Sequence, residues 1–300
     1  MTLDLLRGFL FKSCFEWIYI LFSQSLKSFM SEYLSIKTRF ISASSDIFID
    51  LLIPIFSITL VEFLIPAVSK NLTGRPNKSI KIIIIHYTGM QSERESIANL
   101  CSPKSKVSSH FVINQNGKTY RLVQDNQIAW HAGKSCWRKY KNLNKNSIGI
   151  ELVNKGHQFG YTNFKKKQIS SLIKICKSLQ KKYKIKKRNV IGHSDIAPLR
   201  KIDPGEKFPW KQLANNRIGI WHRCKPSLLR KYRNVKILEK KNKIKLIKNL
   251  NKIGYCFSTK KKYFLTKILK AFQRHYRQEL INGQADKECL IIAQNLSKKL

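Results

Sequence analysis

Residues Lys81–Tyr87 read KIIIIHY, four isoleucines running without a break into a histidine. β-Branched side chains in a row are stiff at χ1 and fit a pleated sheet. The run does not alternate with polar residues, so both faces of this strand are expected to be covered. That is the pattern of a central strand in a mixed α/β sheet. His86 then falls at the strand's carboxyl end, where open sheets place their ligand sites. A histidine merely packed at a strand end fits the same pattern, so partners elsewhere in the chain must decide.

The second informative stretch is VIGHSDIAPLRKIDPGEKFPW, Val190–Trp210. A short strand again ends in histidine, His193, and Lys201 and Asp203 follow. Pro198, Pro204 and Pro209 with Gly205 predict an ordered loop rather than a helix. Two strand-end histidines and one carboxylate make a three-ligand set of the kind zinc takes, with the fourth position left to water. A purely structural zinc site usually closes with a fourth ligand, often cysteine, and no cysteine lies near either histidine in the sequence. By spacing alone the set remains open, because His86 and His193 are far apart along the chain.

Around these stretches the pattern is α/β. KTYRLVQ and SIGIELVN read as short strands, and NFKKKQISSLIKICKSLQKKY as an amphipathic helix with Ile169, Leu172, Ile173, Cys176 and Leu179 on one face. Interleaved strands and helices predict a central mixed β-sheet flanked by helices, over residues 69–222. After a basic linker around Lys225–Lys241 the pattern becomes helical. One helix stops at Gly254, a second places Phe264, Ile268, Phe272 and Tyr276 on one stripe, and a third is capped by Asp286. Residues 223–300 are therefore expected to form a small three-helix bundle.

Residues 1–68 differ from the rest. Their second apolar stretch, near Ile47–Val68, is long enough to span a bilayer but carries Asp50, Pro54, Glu62 and Pro66. Read from Met30, the order of polar, apolar and small residues is that of an export signal or membrane anchor. Over all 300 residues, 58 Lys and Arg face 17 Asp and Glu, a net charge of +41. Such a surplus favours anionic partners. The lysines are spread out, however, and no aromatic-interleaved basic motif of an RNA reader occurs, so no specific nucleic acid is expected. Seven widely spaced cysteines give no C-x-x-C pair and suggest no dense disulfide scaffold. Most are expected to be buried apolar residues, and they do not fix the compartment.

The stretches IIIIHYTG, SSHFVINQNGKTYRLVQDNQIAWHAG, NSIGIELVN and GHSDIAPLRKIDPG, in that order, resemble the zinc-dependent N-acetylmuramoyl-L-alanine amidases. These share a fold with the peptidoglycan recognition proteins. The resemblance runs from about Pro66 to His222. CWRKYKNLNKNSIGIELVN and FPWKQLANNRIGIWH are most similar to the periplasmic, envelope-anchored amidases. AFQRHYRQELINGQADKECLIIAQNL resembles the core of their peptidoglycan-binding helical domain. The first 65 residues have no counterpart.

The resemblance implies one Zn2+ per chain, held by His86, His193 and Asp203. It implies Glu151 as general base and then proton donor to the leaving amine, and Lys201 as a stabiliser of the oxyanion. In SIGIEL, Glu151 alternates with Ile150 and Leu152 and so faces opposite to them, which suits either a catalytic or a surface residue. Trp130 and His131 are expected to line the groove for glycan and stem peptide, with Asn154 as a further substrate contact. His110 reads as a structural strand residue outside the metal set. The expected activity is hydrolysis of the amide between N-acetylmuramic acid and L-alanine, in peptidoglycan or muropeptides. The alternatives are a non-catalytic peptidoglycan receptor on the same fold and a cytosolic amidase that recycles anhydromuropeptides. The leader and the bundle favour the cell envelope, with membrane contact through the leader, over the cytoplasm. A monomer is expected.

Overall fold

The computed structural model describes residues 74–76, 79–257, 264–298 and 300. The leader expected over 1–68 lies outside them. Among the described residues the strands are β1 (Ile82–Tyr87), β2 (Phe111–Ile113), β3 (Thr119–Arg121), β4 (Cys136–Trp137), β5 (Tyr140–Lys141), β6 (Ser147–Leu152) and β7 (Val190–Gly192). Five of them form one sheet in the order β3-β2-β6-β1-β7. The pairs β2–β6, β6–β1 and β1–β7 are parallel and β2–β3 is antiparallel, so the sheet is mixed, as expected. β4 and β5 make a separate hairpin.

The isoleucine strand is central, as its sequence predicts. Ile83 and Ile85 pack toward helix α3 (Lys166–Tyr183), against Ile169, Leu172, Cys176 and Leu179. Ile82 and Ile84 enter a second core on the opposite face. His86 continues that second face by the two-residue period of a strand. Two shorter helices flank the same sheet, α1 (Glu93–Cys101) and α2 (Gly156–Phe159).

The loop expected over Val190–Trp210 holds a turn of helix. α4 (His193–Ile196) starts directly after β7, because the Asp195 carboxylate accepts the Gly192 N–H at 2.8 Å and ties off the helix start. α5 (Trp210–Asn215) follows the prolines. The basic linker also contains structure: α6 (Pro226–Tyr232) opens on a proline, a residue suited to a first helical turn. α7 (Lys240–Ile253) ends at Gly254, and α9 (Lys287–Ser297) is capped by Asp286, which accepts the Cys289 N–H at 2.8 Å. α8 (Phe264–Tyr276) buries Ile268, Phe272 and Tyr276.

These carboxyl-terminal helices do not build a core of their own. Leu246, Leu250, Ile268, Phe272, Ile292 and Leu296 pack in one continuous cluster with Ile82, Ile84, Ile191 and Ile196 of the sheet and α4. A disulfide, Cys136–Cys256, joins β4 to the residues just after α7 across a sequence separation of 120. Cysteine spacing gave no hint of it, since the pairing depends on where a distant helix docks. Among the described cysteines only Cys176 and Cys289 are buried apolar residues; Cys101 and Cys224 are partly exposed and Cys136 and Cys256 are bonded, so the expectation that most would be buried apolar residues does not hold.

Candidate metal centre

β1 and β6 run side by side with His86 opposite Glu151. β7 lies on the other side of β1 and delivers His193 just past its carboxyl end. Asp203 comes back from the following loop, where its carbonyl accepts the Ser194 N–H at 2.8 Å. The result is a buried triangle. His86 Nδ1, His193 Nδ1 and Asp203 Oδ2 are each 3.0 Å from the other two. Among the described residues, these three form the group able to hold a metal ion.

Their hydrogen-bond partners say where the protons are. His193 Nε2 lies 3.3 Å from the Ala132 carbonyl and 3.4 Å from Arg200 Nη2, which leaves its Nδ1 facing His86 and Asp203. Ser147 donates its hydroxyl to Leu143 O at 2.7 Å and therefore accepts from His131 Nε2 at 3.1 Å. Burial, then the neighbouring imidazoles His86, His110 and His193 and the Arg75 guanidinium, pushes His131 far below the usual imidazole range. Its Nδ1 thus accepts from His86 Nε2 at 3.0 Å. Burial, then His193, lowers His86 to about 4, so its Nδ1 also presents a lone pair at neutral pH. Burial alone would raise the Asp203 carboxyl, but the pull of the two imidazoles beside it outweighs burial and holds it low.

Two imidazole nitrogens and a carboxylate oxygen, each able to donate an electron pair, face one another at contact distance; around a cation that arrangement is a ligand set. Ligands about 2.0–2.1 Å from a tetrahedral ion lie about 3.3 Å apart, close to the spacing here. The donor set fits a divalent metal, and its nitrogen and carboxylate chemistry suits zinc.

Glu151 is buried beside the triangle, with Oε1 4.0 Å from His86 Nδ1 and Oε2 without a hydrogen-bond partner. Burial, then the charge of Asp203, pushes its carboxyl well above the ordinary range, and Lys201 only partly opposes this. A cleft of about 380 Å³ opens over the group, lined among others by Tyr87, Trp130, Glu151, Arg200 and Lys201. Trp130 is half-exposed on its wall.

His131 also reaches this cleft, but both of its ring nitrogens are engaged, and it stands directly behind His86. The ring presses on Gly149, where any Cβ would lie 2.5 Å from it. Asn154 is not among the lining residues. Its amide bonds the Thr162 carbonyl at 2.9 Å and the Gly156 N–H at 3.1 Å, holding the turn after β6. His110 lies outside the metal group, with Nδ1 accepting the Gly149 N–H at 3.0 Å.

Sequence reasoning missed Ser147, Gly149 and Arg200. The first two share the face of Glu151 by the two-residue period, a signal present in the string SIGIEL. Arg200 had no such signal. It reaches from the loop after α4 to the carbonyls of Ala132 and Lys134.

Residues 76–206 match the N-acetylmuramoyl-L-alanine amidase family. The chain is 37% identical over 238 residues to the N-acetylmuramoyl-L-alanine amidase AmiD of Escherichia coli, covering 73% of this chain and 83% of that protein. The chain belongs to the N-acetylmuramoyl-L-alanine amidases. The amidase is also 33% identical to the 1,6-anhydro-N-acetylmuramyl-L-alanine amidase AmpD of Haemophilus influenzae, over 48% of this chain and 86% of that one. Its structure is similar to AmiD solved with the substrate anhydro-N-acetylmuramic acid-L-Ala-D-γ-Glu-L-Lys, with a TM-score of 0.65 and 36% identity, over 76% of this chain and 91% of that chain. AmpDh3 of Pseudomonas aeruginosa, solved with an anhydromuramic pentapeptide, gives a TM-score of 0.64 at 29% identity, over 76% and 93% of the two chains.

Proposed function

We propose that this amidase is a zinc enzyme of the cell envelope. It hydrolyses the amide between the lactyl group of N-acetylmuramic acid and L-alanine, with one zinc ion held by His86, His193 and Asp203. The observation that carries the reading is the triangle of His86 Nδ1, His193 Nδ1 and Asp203 Oδ2 at 3.0 Å beside the buried Glu151, whose carboxyl pKa is raised. Zinc held there supplies Lewis acidity and makes water a competent nucleophile near neutral pH.

The remaining work falls to side chains. Glu151 takes the proton of the attacking water and returns it to the leaving amine of L-alanine; its raised carboxyl pKa suits both directions. Lys201, on the cleft wall, places an ammonium near the oxygen on which charge develops. His131 and Ser147 fix the proton on His86 Nε2 and so keep Nδ1 free for the metal. Trp130 offers an aromatic wall to the sugar or the stem peptide, and Arg200 lends the cleft a cation for peptide carboxylates.

AmiD and AmpDh3, solved with anhydromuramyl peptides, support muropeptides as the ligand class. The Cys136–Cys256 disulfide supports an oxidising compartment, hence the envelope rather than the cytoplasm.

Purified protein is expected to contain about one zinc per chain and to release free stem peptide from soluble muropeptides. Chelation should abolish release, and added zinc should restore it. Full activity in exhaustively metal-free protein would overturn the reading.

A further inference from the structure

Asp195 sits two residues after the His193 ligand, in the first turn of α4, and is buried. Its carboxylate has three donors. One is local, the Gly192 N–H at 2.8 Å. The other two come from the carboxyl-terminal segment: Tyr255 OH reaches Oδ1 at 2.5 Å and His275 Nδ1 reaches Oδ2 at 2.7 Å.

Both donors are themselves held in place. The His275 ring is stacked between Trp210 and Tyr276, each 3.9 Å away between ring centroids. Tyr255 packs edge-on against Trp137 of β4 at 5.1 Å and is followed by Cys256, which is bonded to Cys136. The Gly254 carbonyl accepts the Arg138 N–H at 2.8 Å. A Cβ at Gly254 would come within 2.4 Å of the Trp137 ring, so the chain docks there without a side chain. Tyr255 is thus fixed to the β4–β5 hairpin by the neighbouring disulfide, a backbone hydrogen bond and an aromatic contact.

α4 in turn governs two of the three metal donors. His193 is its first residue, and the Ser194 N–H holds the Asp203 carbonyl at 2.8 Å. A rotation of α4 therefore displaces both donors relative to His86.

We propose that Tyr255 and His275 are positioning residues for the metal centre: acting through Asp195, they hold α4 so that His193 and Asp203 meet His86 at ligand spacing. The carboxyl-terminal helices are then a working part of the metal site, whatever else they bind. This rests on the reading that His86, His193 and Asp203 hold zinc. It follows that the two regions cannot be separated without loosening the ion.

The test uses the full chain with its disulfide formed. Tyr255→Phe and His275→Phe keep the rings and remove the hydrogen bonds to Asp195. Zinc Kd is measured by competition with a chromogenic chelator, and the Tm of metal-free protein is measured alongside. Each variant is expected to raise the zinc Kd about tenfold, at the lower end of outer-shell effects. His275→Asn, which restores an N–H donor near Nδ1, should recover most of the affinity lost in His275→Phe. Leu246→Ala serves as the comparison. It hollows the same apolar cluster without touching Asp195, and should lower Tm at least as much while leaving Kd within twofold. A parent chain that binds zinc, with Tyr255→Phe and His275→Phe variants that match it within twofold, overturns the inference alone. So does a Leu246→Ala variant that loosens zinc as much as they do. A parent chain that takes up no zinc overturns the metal reading and this inference with it.

Discussion

Two buried polar clusters in this amidase are built on opposite accounting. In the carboxyl-terminal helices, Arg233 and Arg277 meet Asp286 and Glu288, two cations against two anions. Arg233 grips Glu288 with Nε and Nη2 at 2.9 and 2.8 Å. Arg277 bonds Asp286 and lies 3.2 Å from Glu288. Arg277, Asp286 and Glu288 are at most 1% exposed. At the centre of the sheet, by contrast, two imidazole nitrogens and one carboxylate oxygen converge at 3.0 Å and Glu151 Oε2 has no partner. The buried charges of the first cluster are matched within the chain, although Arg277 Nε has no hydrogen-bond partner and Arg233 also lies 3.7 Å from the exposed Glu279. The second becomes balanced only when something from outside arrives. Burial alone does not mark a functional site; burial with the charges left uneven does.

The sharpest way to test that contrast is Glu151→Gln. The amide is nearly isosteric but cannot take a proton. The zinc-loaded variant is expected to lose about 10²–10⁴-fold in kcat while keeping its metal. An unchanged kcat at full zinc occupancy would return Glu151 to the role of a strand residue.

The balanced cluster should fail differently. Arg277→Met leaves two buried carboxylates facing one arginine. Breaking such a pair is expected to cost about 3–5 kcal/mol of stability, read from chemical denaturation. A cost below about 1 kcal/mol would mean that the cluster is not the buried network its geometry indicates.

The smallest effect belongs to a third carboxylate, nearer the surface. Burial would raise Asp125, but hydrogen bonds from Tyr183, Lys182 and Arg121 outweigh it and lower it to about 2 from an ordinary 3.8. A depressed folded-state pKa gives stability that is present above about pH 4 and lost as pH falls toward 2. Arg121 and Lys182 are substantially solvent-exposed, so the contribution is discounted to about 1–2 kcal/mol. Comparing the parent with Asp125→Asn at pH 7 and pH 2.5 measures it. A difference in stability that does not shrink on acidification would show that the carboxylate's charge is not what matters.

The sheet, and the strand-end places of His86 and Glu151, were legible in the sequence for a physical reason; the ligand set itself was implied only by the family resemblance. KIIIIHY states burial on both faces and a polar terminus, and the alternation in SIGIEL puts Glu151 on the face away from Ile150 and Leu152. The structure pairs these two stretches in register, His86 beside Glu151. Both signals are local, set by the two-residue period of a strand. What could not be read were contacts made over long separations. Tyr255 and His275 looked like parts of an independent bundle, because a helical stripe gives the direction of an apolar face and not what covers it. The stripe of Phe272 and Tyr276 meets α4 and the sheet, in the same cluster as Ile191 and Ile196. His131 was legible as a resident of the site, but its two bonds, to His86 and to Ser147, depend on how the AWHAG turn folds back over β6.

The Cys136–Cys256 bond has a topological consequence as well. It closes a covalent ring that contains Glu151, His193 and Asp203, while His86 lies outside it. The same ring contains α3, whose outer face is studded with exposed lysines such as Lys167, Lys174 and Lys177. A trypsin-like protease cutting there opens the ring but releases no fragment. The nicked chain would run as one species on a non-reducing gel and as two after reduction. The enzyme would outlast its first cut with His193 and Asp203 still on one continuous strand of covalent bonds.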